Sequence, residues 1–144
     1  MSEPVVERTL ILVKPDAVRR NLTGQVLARV ERKGYRIVAL VLRQADQQLL
    51  AQHYAEHVAQ PFYPALVAAM SAGPLVAAVA EGHRVIAGWR SLAGATDPTL
   101  ATPGTVRGDY GRDWGNGLVD NLVHGSDSPD SAAREIALWF PELA

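Results

Sequence analysis

The sequence of 144 residues contains no cysteine and carries almost no net charge. The lack of cysteine excludes a disulfide framework, a thiolate nucleophile and cysteine-ligated zinc or iron–sulfur sites, and it is compatible with a reducing cytoplasm. The formal net charge is −1, so the chain has no overall basic field that would hold nucleic acid or an anionic membrane. Any site for an anion must therefore be a local cluster of cations.

Long apolar runs are also absent. No stretch reaches the ~18 consecutive apolar residues that a membrane-spanning helix requires. Met1–Thr9 carries Glu3 and Glu7 and lacks the basic start and apolar core of a secretion signal. Apolar residues make up 48% of the chain and charged residues 20%, which is typical of a globular protein of one domain. We therefore expect a soluble, cytoplasmic protein with a single domain over residues 1–144, and neither a membrane nor an obligatory nucleic-acid partner.

Glycine-rich phosphate loops are the third absence, since the sequence has neither a P-loop nor a dinucleotide fingerprint. A nucleotide site would therefore depend on side chains. Lys14, Arg90 and Arg107 each border a turn that contains proline or glycine. Arginine forks and a lysine charge suit phosphate oxygens, so their convergence would create an anion site. Taken singly, each cation is better explained as a solvated surface charge.

The periodicity of the sequence predicts alternating strands and helices. The expected strands are Thr9–Val13, Tyr35–Leu42, Leu75–Ala80 and Leu118–Val123, with a polar turn at Glu81–His83. The expected helices contain Val26–Lys33 before a cap at Gly34, follow an N-cap at Asp46, cover Arg84–Leu92, and begin at Pro129 after a cap at Ser128. Thr96–Gly117 reads as a long loop with a functional role. This order predicts an α+β, ferredoxin-like sandwich, a four-stranded antiparallel sheet covered by helices.

His124 lies where the last strand hands over to the last helix. It is followed by Gly125, which leaves room for a bulky ligand, and by Ser126 and Asp127, either of which is suited to fix its tautomer. A structural histidine without chemistry is the alternative. Gln60–Pro64 places aromatic rings in a stiff loop, where a ring either stacks on a base or packs in the core.

These segments resemble one family along nearly the whole chain, the nucleoside diphosphate kinases. Asn121–Ser128, with the sequence NLVHGSDS, is similar to the family's active-site signature. Thr9–Asp16 resembles its opening strand with Lys-Pro-Asp, and Thr105–Asp109 resembles its phosphate-binding loop. The signature is highly specific for the family.

The resemblance implies a role for each candidate residue. His124 would be the nucleophile, with Glu135 and Ser126 orienting its ring, and Phe62 would stack on the base. The residues implied to contact phosphates or ribose are Lys14, Tyr54, His57, Arg90, Thr96, Arg107 and Asn121. Mg²⁺ would arrive with the nucleotide phosphates, without a dedicated protein site for the metal. The resemblance also implies a homo-oligomer, with a hexamer favoured over a tetramer.

One segment departs from the family pattern. Between Arg107 and His124 the chain is a few residues longer, around Gly111–Asp120. The apolar residue that faces Phe62 across the base is therefore unassigned, with Leu118 and Trp114 both open. Trp114 either anchors a subunit contact or packs on its own subunit.

The expected activity is transfer of the γ-phosphate from a nucleoside triphosphate to a nucleoside diphosphate, in two steps through a phosphohistidine at His124. Stacking on Phe62 suits any base, so broad base and sugar tolerance is expected. Two alternatives remain open from the sequence: a non-enzymatic module that binds nucleotides or nucleic acid, and a phosphohydrolase in which histidine acts as a general base.

Overall fold

A computed structural model describes residues 5–115 and 119–143. The strands are β1 (Val6–Val13), β2 (Arg36–Arg43), β3 (Leu75–His83), β4 (Arg112–Asp113), β5 (Val119–Asp120) and β6 (Val123–Gly125). The helices are α1 (Pro15–Arg19), α2 (Thr23–Lys33), α3 (Gln47–His53), α4 (Tyr63–Met70), α5 (Val85–Ala93), α6 (Val106–Tyr110) and α7 (Pro129–Trp139), with 3₁₀ turns at Ala55–His57 and Pro141–Leu143. Within the described ranges, no helix has the length and apolar character needed to cross a membrane.

The main sheet has the strand order β2-β3-β1-β6, and every neighbouring pair is antiparallel. β1 is one of its two central strands, and its residues Thr9–Val13 are buried. Side chains alternate between the two faces of a strand, and both faces are covered here. Leu10 and Leu12 pack into one core cluster with residues of α3 and α7, and Ile11 and Val13 pack into a second cluster with residues of α2 and α5. The predicted α+β, ferredoxin-like sandwich is confirmed.

Three helix ends follow the signals in the sequence. Gly34 ends α2 in the left-handed conformation, with φ of 101°, where a side chain would be strained. Asp46 caps α3, because its Oδ1 accepts a hydrogen bond of 2.7 Å from the backbone N–H of Leu49. Ser128 caps α7 in the same way through Ser131 N–H at 3.1 Å. These caps fix where the helices begin and end on either side of the sheet.

The turn predicted at Glu81–His83 is wrong, because β3 continues through these residues to His83. Glu81 pairs with Arg8 on β1 and also forms an ion pair with it at 2.9 Å. A paired strand tolerates polar residues here, at the less buried end of the sheet. The aromatic segment near residue 62 also differs from the prediction, since Tyr63 begins α4 rather than remaining in a loop.

The long loop predicted over Thr96–Gly117 is interrupted by α6 and β4. Thr105 begins α6 by accepting a hydrogen bond of 3.0 Å on Oγ1 from Gly108 N–H. The single strand predicted at Leu118–Val123 is also wrong. β5 pairs with β4 in a separate small hairpin, Leu122 then turns the backbone at a φ of 69°, and β6 joins the main sheet from Val123. Leu118 lies outside the described residues.

Candidate active site

His124 lies on β6, at the centre of a short edge strand. It pairs with Leu12 of β1, and its carbonyl oxygen accepts a hydrogen bond of 3.1 Å from the indole Nε1–H of Trp89. The next residue is Gly125, and a larger residue would not fit there. A Cβ atom at this position would lie 2.6 Å from Trp89 Cδ1. The backbone of His124 is therefore fixed on both sides by the sheet and by α5.

One ring nitrogen of His124 is held by Glu135 on α7. The distance from His124 Nε2 to Glu135 Oε1 is 2.7 Å. Ser126 donates its hydroxyl to the same oxygen at 3.0 Å, and this hydroxyl also accepts from Leu10 N–H at 3.1 Å. Ser126 therefore contacts Glu135 and not the ring of His124. Glu135, rather than Ser126 or Asp127, holds the ring directly.

Glu135 is buried but remains the carboxylate partner of the histidine. Burial acts to raise its pKa, while the hydrogen bond and charge of His124, the charge of His53 and the Ser126 hydroxyl act to lower it, and the net pKa is below the ordinary value. A carboxylate accepts the Nε2–H, so the proton of neutral His124 lies on Nε2. His124 Nδ1 is then the nitrogen with a lone pair for attack.

A second histidine, His53 at the end of α3, packs against the first. Its ring is 4% exposed and meets the ring of His124 edge to face, with centroids 4.7 Å apart. Trp139 donates its indole Nε1–H to His53 Nδ1 at 3.0 Å. Burial, followed by the charge of His124, lowers the pKa of His53 to about 3, so this imidazole is neutral at physiological pH.

We predict that mildly acidic pH destabilises the fold through His53. An unfolded chain takes up a proton at this residue near pH 6.5, whereas the folded chain does so only near pH 3. The contribution to stability is therefore complete above pH 6.5 and falls at about 1.4 kcal/mol per pH unit below it. Urea unfolding at several pH values should show this loss in the wild type and a smaller loss in His53→Phe. Equal slopes in the two proteins would contradict the burial argument.

Two cations are fixed near His124 by backbone and amide oxygens. Lys14 Nζ donates to Asn121 Oδ1 at 2.7 Å. The guanidinium of Arg107 on α6 donates from all three nitrogens, to the carbonyl oxygens of Asn121 at 3.0 Å, Gly94 at 2.8 Å and Val123 at 2.7 Å. Burial, followed by the charge of Arg90, lowers the pKa of Arg107 to about 10, so it stays positive at neutral pH. Both charges are rigidly placed.

Arg90 on α5 is more exposed and forms an ion pair with the carboxylate of Asp127. Asp127 was one of two residues predicted to fix the tautomer of His124, but its carboxylate pairs with Arg90 instead. Tyr54 lies at the C-terminal end of α3, where burial raises the pKa of its phenol, so it stays protonated and able to donate a hydrogen bond. An exposed ion pair contributes little to stability, so Arg90 is available to another anion.

These side chains surround one pocket of about 730 Å³. Nine of the predicted residues line it: Lys14, Tyr54, His57, Arg90, Thr96, Arg107, Asn121, His124 and Glu135. Ser126 is fully buried behind them, in contact with Glu135. Phe62 does not line the pocket, but its ring lies beside His57, with centroids 5.5 Å apart, and is 51% exposed. Convergence of the cations and the histidine in one cavity is therefore observed.

The pocket offers few oxygen ligands for a metal. Three of its lining residues are carboxylates: Glu56, Asp127 and Glu135. Glu135 is engaged by His124 and Asp127 by Arg90, whereas Mg²⁺ requires near-octahedral oxygen ligation. The residues present fit a magnesium ion that is carried by phosphate oxygens and completed by water, and not one held by a protein cage.

Comparison with known proteins shows the family of the chain. The sequence model of the nucleoside diphosphate kinase family matches residues 7–144. The chain belongs to this family. A nucleoside diphosphate kinase from Thermobifida fusca is 58% identical over 139 residues, which cover 96% of this chain and 100% of the relative. One from Saccharopolyspora erythraea is 59% identical over 138 residues, covering 95% and 98%.

A solved structure supports the same assignment. The crystal structure of apo nucleoside diphosphate kinase from Encephalitozoon cuniculi superposes with a TM-score of 0.85 at 36% identity, covering 93% of this chain and 88% of that one. As a nucleoside diphosphate kinase, the protein is an enzyme, a phosphotransferase of nucleotide metabolism.

Sequence reasoning missed several residues of this kinase's pocket. They include His53, Glu56, Trp89 and Arg134. His53 falls in the helix predicted after Asp46, and a polar residue on the buried face of that helix was a usable signal. Trp89 acts on the backbone of His124, by donating a hydrogen bond to its carbonyl oxygen, and no residue pattern predicts such a contact.

Proposed function

We propose that this nucleoside diphosphate kinase works in two half-reactions through Nδ1 of His124. The observation that carries the proposal is the 2.7 Å contact between Nε2 and Glu135, which leaves Nδ1 to attack. In the first half-reaction a bond forms between Nδ1 and the γ-phosphorus, the bond from that phosphorus to the β,γ-bridging oxygen breaks, and the nucleoside diphosphate leaves. A second diphosphate then takes the phosphoryl group through its β-phosphate oxygen.

The cations supply most of what this transfer needs. In the transition state, the transferred phosphoryl group carries negative charge on its oxygens. Positive groups that are already fixed in place stabilise that charge without rearranging. Lys14 and Arg107 are held by hydrogen bonds to protein oxygens, so they are oriented before substrate arrives. Arg90 would exchange the carboxylate of Asp127 for a phosphate.

The remaining pocket residues are proposed to position the nucleotide. Tyr54, His57, Thr96 and Asn121 line the cavity and offer hydrogen bonds to phosphates or ribose. Phe62 lies beside His57, is half exposed and would stack on the base. Mg²⁺, bound through the phosphate oxygens, would neutralise charge on the transferred group.

The test is a pulse of ATP labelled at the γ-phosphate in the presence of Mg²⁺. After removal of nucleotide, the protein should retain acid-labile, base-stable label, and added GDP should recover that label as GTP. Release of inorganic phosphate without transfer to GDP would indicate a phosphohydrolase instead. Absence of label with nucleotide still bound would indicate a binding module. Either result overturns the proposal.

We predict weak selectivity among bases. Phe62→Ala is expected to raise the KM for ATP, GTP, CTP and UTP alike, by about tenfold, because stacking contributes about 1–3 kcal/mol and reads no base edge. The measurement is steady-state kinetics with each triphosphate, with the exposed Leu42→Ala on β2 as a control. A strict preference for one base in the wild type would contradict the stacking account.

The residue that faces Phe62 remains unassigned. Leu118 lies outside the described residues, and Trp114 does not line the pocket. Trp114 instead packs against the guanidinium of Arg112, which lies 4.3 Å from the centre of its ring, and it is 52% exposed.

We also propose a homo-oligomer, a hexamer in preference to a tetramer. Leu100 and Trp114, both in the segment between α5 and β5, are large apolar side chains that remain exposed, which is a feature of protein contact surfaces.

We predict that Trp114→Ala gives a smaller particle in light scattering or a lower Tm, since tryptophan is enriched among interface hot spots. Val58→Ala, an exposed apolar residue elsewhere, is the control. Unchanged mass and stability would leave Trp114 without a role in assembly.

The other expectations stay predictions. They are a single domain over residues 1–144, a cytoplasmic location, no membrane partner and no obligatory nucleic-acid partner. The formal net charge of −1 supports the last two, because neither an anionic membrane nor nucleic acid would be held by bulk electrostatics.

A further inference from the structure

The tautomer of His53 is set by the protein. Trp139 Nε1 can only donate, and it lies 3.0 Å from His53 Nδ1, so Nδ1 must be the acceptor. In the neutral imidazole the proton then lies on Nε2. The indole is held in turn by the Arg43 guanidinium, 5.6 Å from the centre of its ring. His53 is therefore a neutral ring with a fixed orientation, and no step of the proposed transfer uses it.

This fixed ring lies against the nucleophile. The two imidazoles meet at an interplanar angle of 72°, and one nitrogen of His53, one of His124 and one oxygen of Glu135 all lie within 4.8 Å of one another. Rotation of the His124 ring about its Cβ–Cγ bond would tilt the ring out of its present plane, against the ring of His53, and would move both ring nitrogens. Such a turn would break the bond to Glu135 and remove Nδ1 from the attacking position.

Resting on the proposed function, we infer that His53 is a positioning residue that holds the His124 ring in the one orientation presenting Nδ1 to the phosphate. Glu135 bonds one corner of the ring, and a single hydrogen bond leaves rotation about that contact. Edge-to-face packing by His53 fixes the plane of the ring. Trp139 acts indirectly, because its hydrogen bond fixes the orientation of His53.

The chemistry of phosphohistidine offers a direct test, because phosphorylation at Nδ1 and at Nε2 gives two distinct isomers. The variants are His53→Ala, which removes the ring, His53→Phe, which restores a ring without nitrogens, and Trp139→Phe, which removes only the N–H donor. His83→Ala is the matched control, since this histidine is exposed on β3 and contacts Val5 O. Each protein receives γ-labelled ATP with Mg²⁺ in a single turnover.

In the wild type and in His83→Ala we expect phosphate on Nδ1 alone, identified by ³¹P NMR after denaturation in base. His53→Ala should phosphorylate about 10- to 100-fold more slowly at saturating ATP, as misplaced reacting atoms do, and should yield a mixture of the two isomers. His53→Phe should restore the single isomer. A loss of stability alone would lower the amount of labelled protein without changing the ratio of isomers.

Trp139→Phe keeps the inference testable if His53→Ala does not fold. In protein labelled with ¹⁵N-histidine, NMR of the wild type should show His53 unprotonated at Nδ1 and protonated at Nε2. Trp139→Phe should show a mixture of tautomers and slower phosphorylation. Only Nδ1-phosphohistidine at an unchanged rate in the His53 and Trp139 variants would overturn the inference. A wild type that takes no label would instead overturn the proposed function.

Discussion

His124→Ala is expected to abolish phosphoryl transfer while leaving the fold intact. Loss of a nucleophile costs roughly 10⁴-fold or more in rate when no other group can replace it. In the variant, Ser126 still donates to Glu135, and the ring of His124 is partly exposed, so the cost in stability should be small. The measurement is transfer of labelled phosphate from ATP to GDP, together with the Tm.

The matched control is His83→Ala, which removes an exposed histidine outside the pocket. It should transfer phosphate at the rate of the wild type. Activity near wild type in His124→Ala, or label that stays on the chain, would show that another residue carries the phosphate.

Arg107→Ala is expected to lower both activity and stability. The guanidinium satisfies three backbone carbonyls, of Gly94, Asn121 and Val123. Its loss should cost about 2–4 kcal/mol in the free energy of unfolding, because these acceptors lose charged donors. Transfer should slow by about a hundredfold, since one fixed positive charge near the phosphoryl group is removed.

Arg107→Lys separates the two roles. Lysine keeps the charge but cannot reproduce a planar fork that reaches three carbonyls, so we expect an intermediate rate and a stability close to that of Arg107→Ala. Single-turnover phosphorylation of His124 and urea unfolding give the two quantities. Arg36→Ala, an exposed arginine on β2, is the control. A wild-type rate in Arg107→Ala with lost stability would make Arg107 purely structural.

The parts of the fold that could be predicted are those whose structure is specified by residues close together in the sequence. Gly34 and Ser128 mark helix ends by their own backbone chemistry, and the apolar runs of β1 and β3 suffice for buried strands. The missed parts depend on partners far along the chain. β3 reaches His83 only because β1 lies beside it, and Leu122 adopts a positive φ that nothing in a leucine predicts. Such features are set by tertiary contacts that override local propensity.

The site divides in the same way. Glu135 was assigned from the resemblance, whereas Lys14, Arg90 and Arg107 were candidates from their own positions beside proline and glycine turns. The structure brings them around His124 in one pocket. His53 and Trp139 were missed because each looks like an ordinary core residue in its own helix. What distinguishes them is the hydrogen bond between them, which joins residues 86 positions apart in the sequence. Phe62 lies beside the pocket, next to His57, and not on its wall.

The site is assembled from both ends of the chain. Lys14 reaches Asn121 across 107 residues, and Leu10 reaches Ser126 across 116. Contacts between residues so far apart in sequence require closure of a long loop, so we expect them to form late in folding. Recovery of catalysis after dilution from denaturant therefore reports completion of the whole structure, whereas helical signal returns earlier. By the same reasoning, a proteolytic fragment that lacks either end would be inactive alone and would regain activity only by complementation with the other.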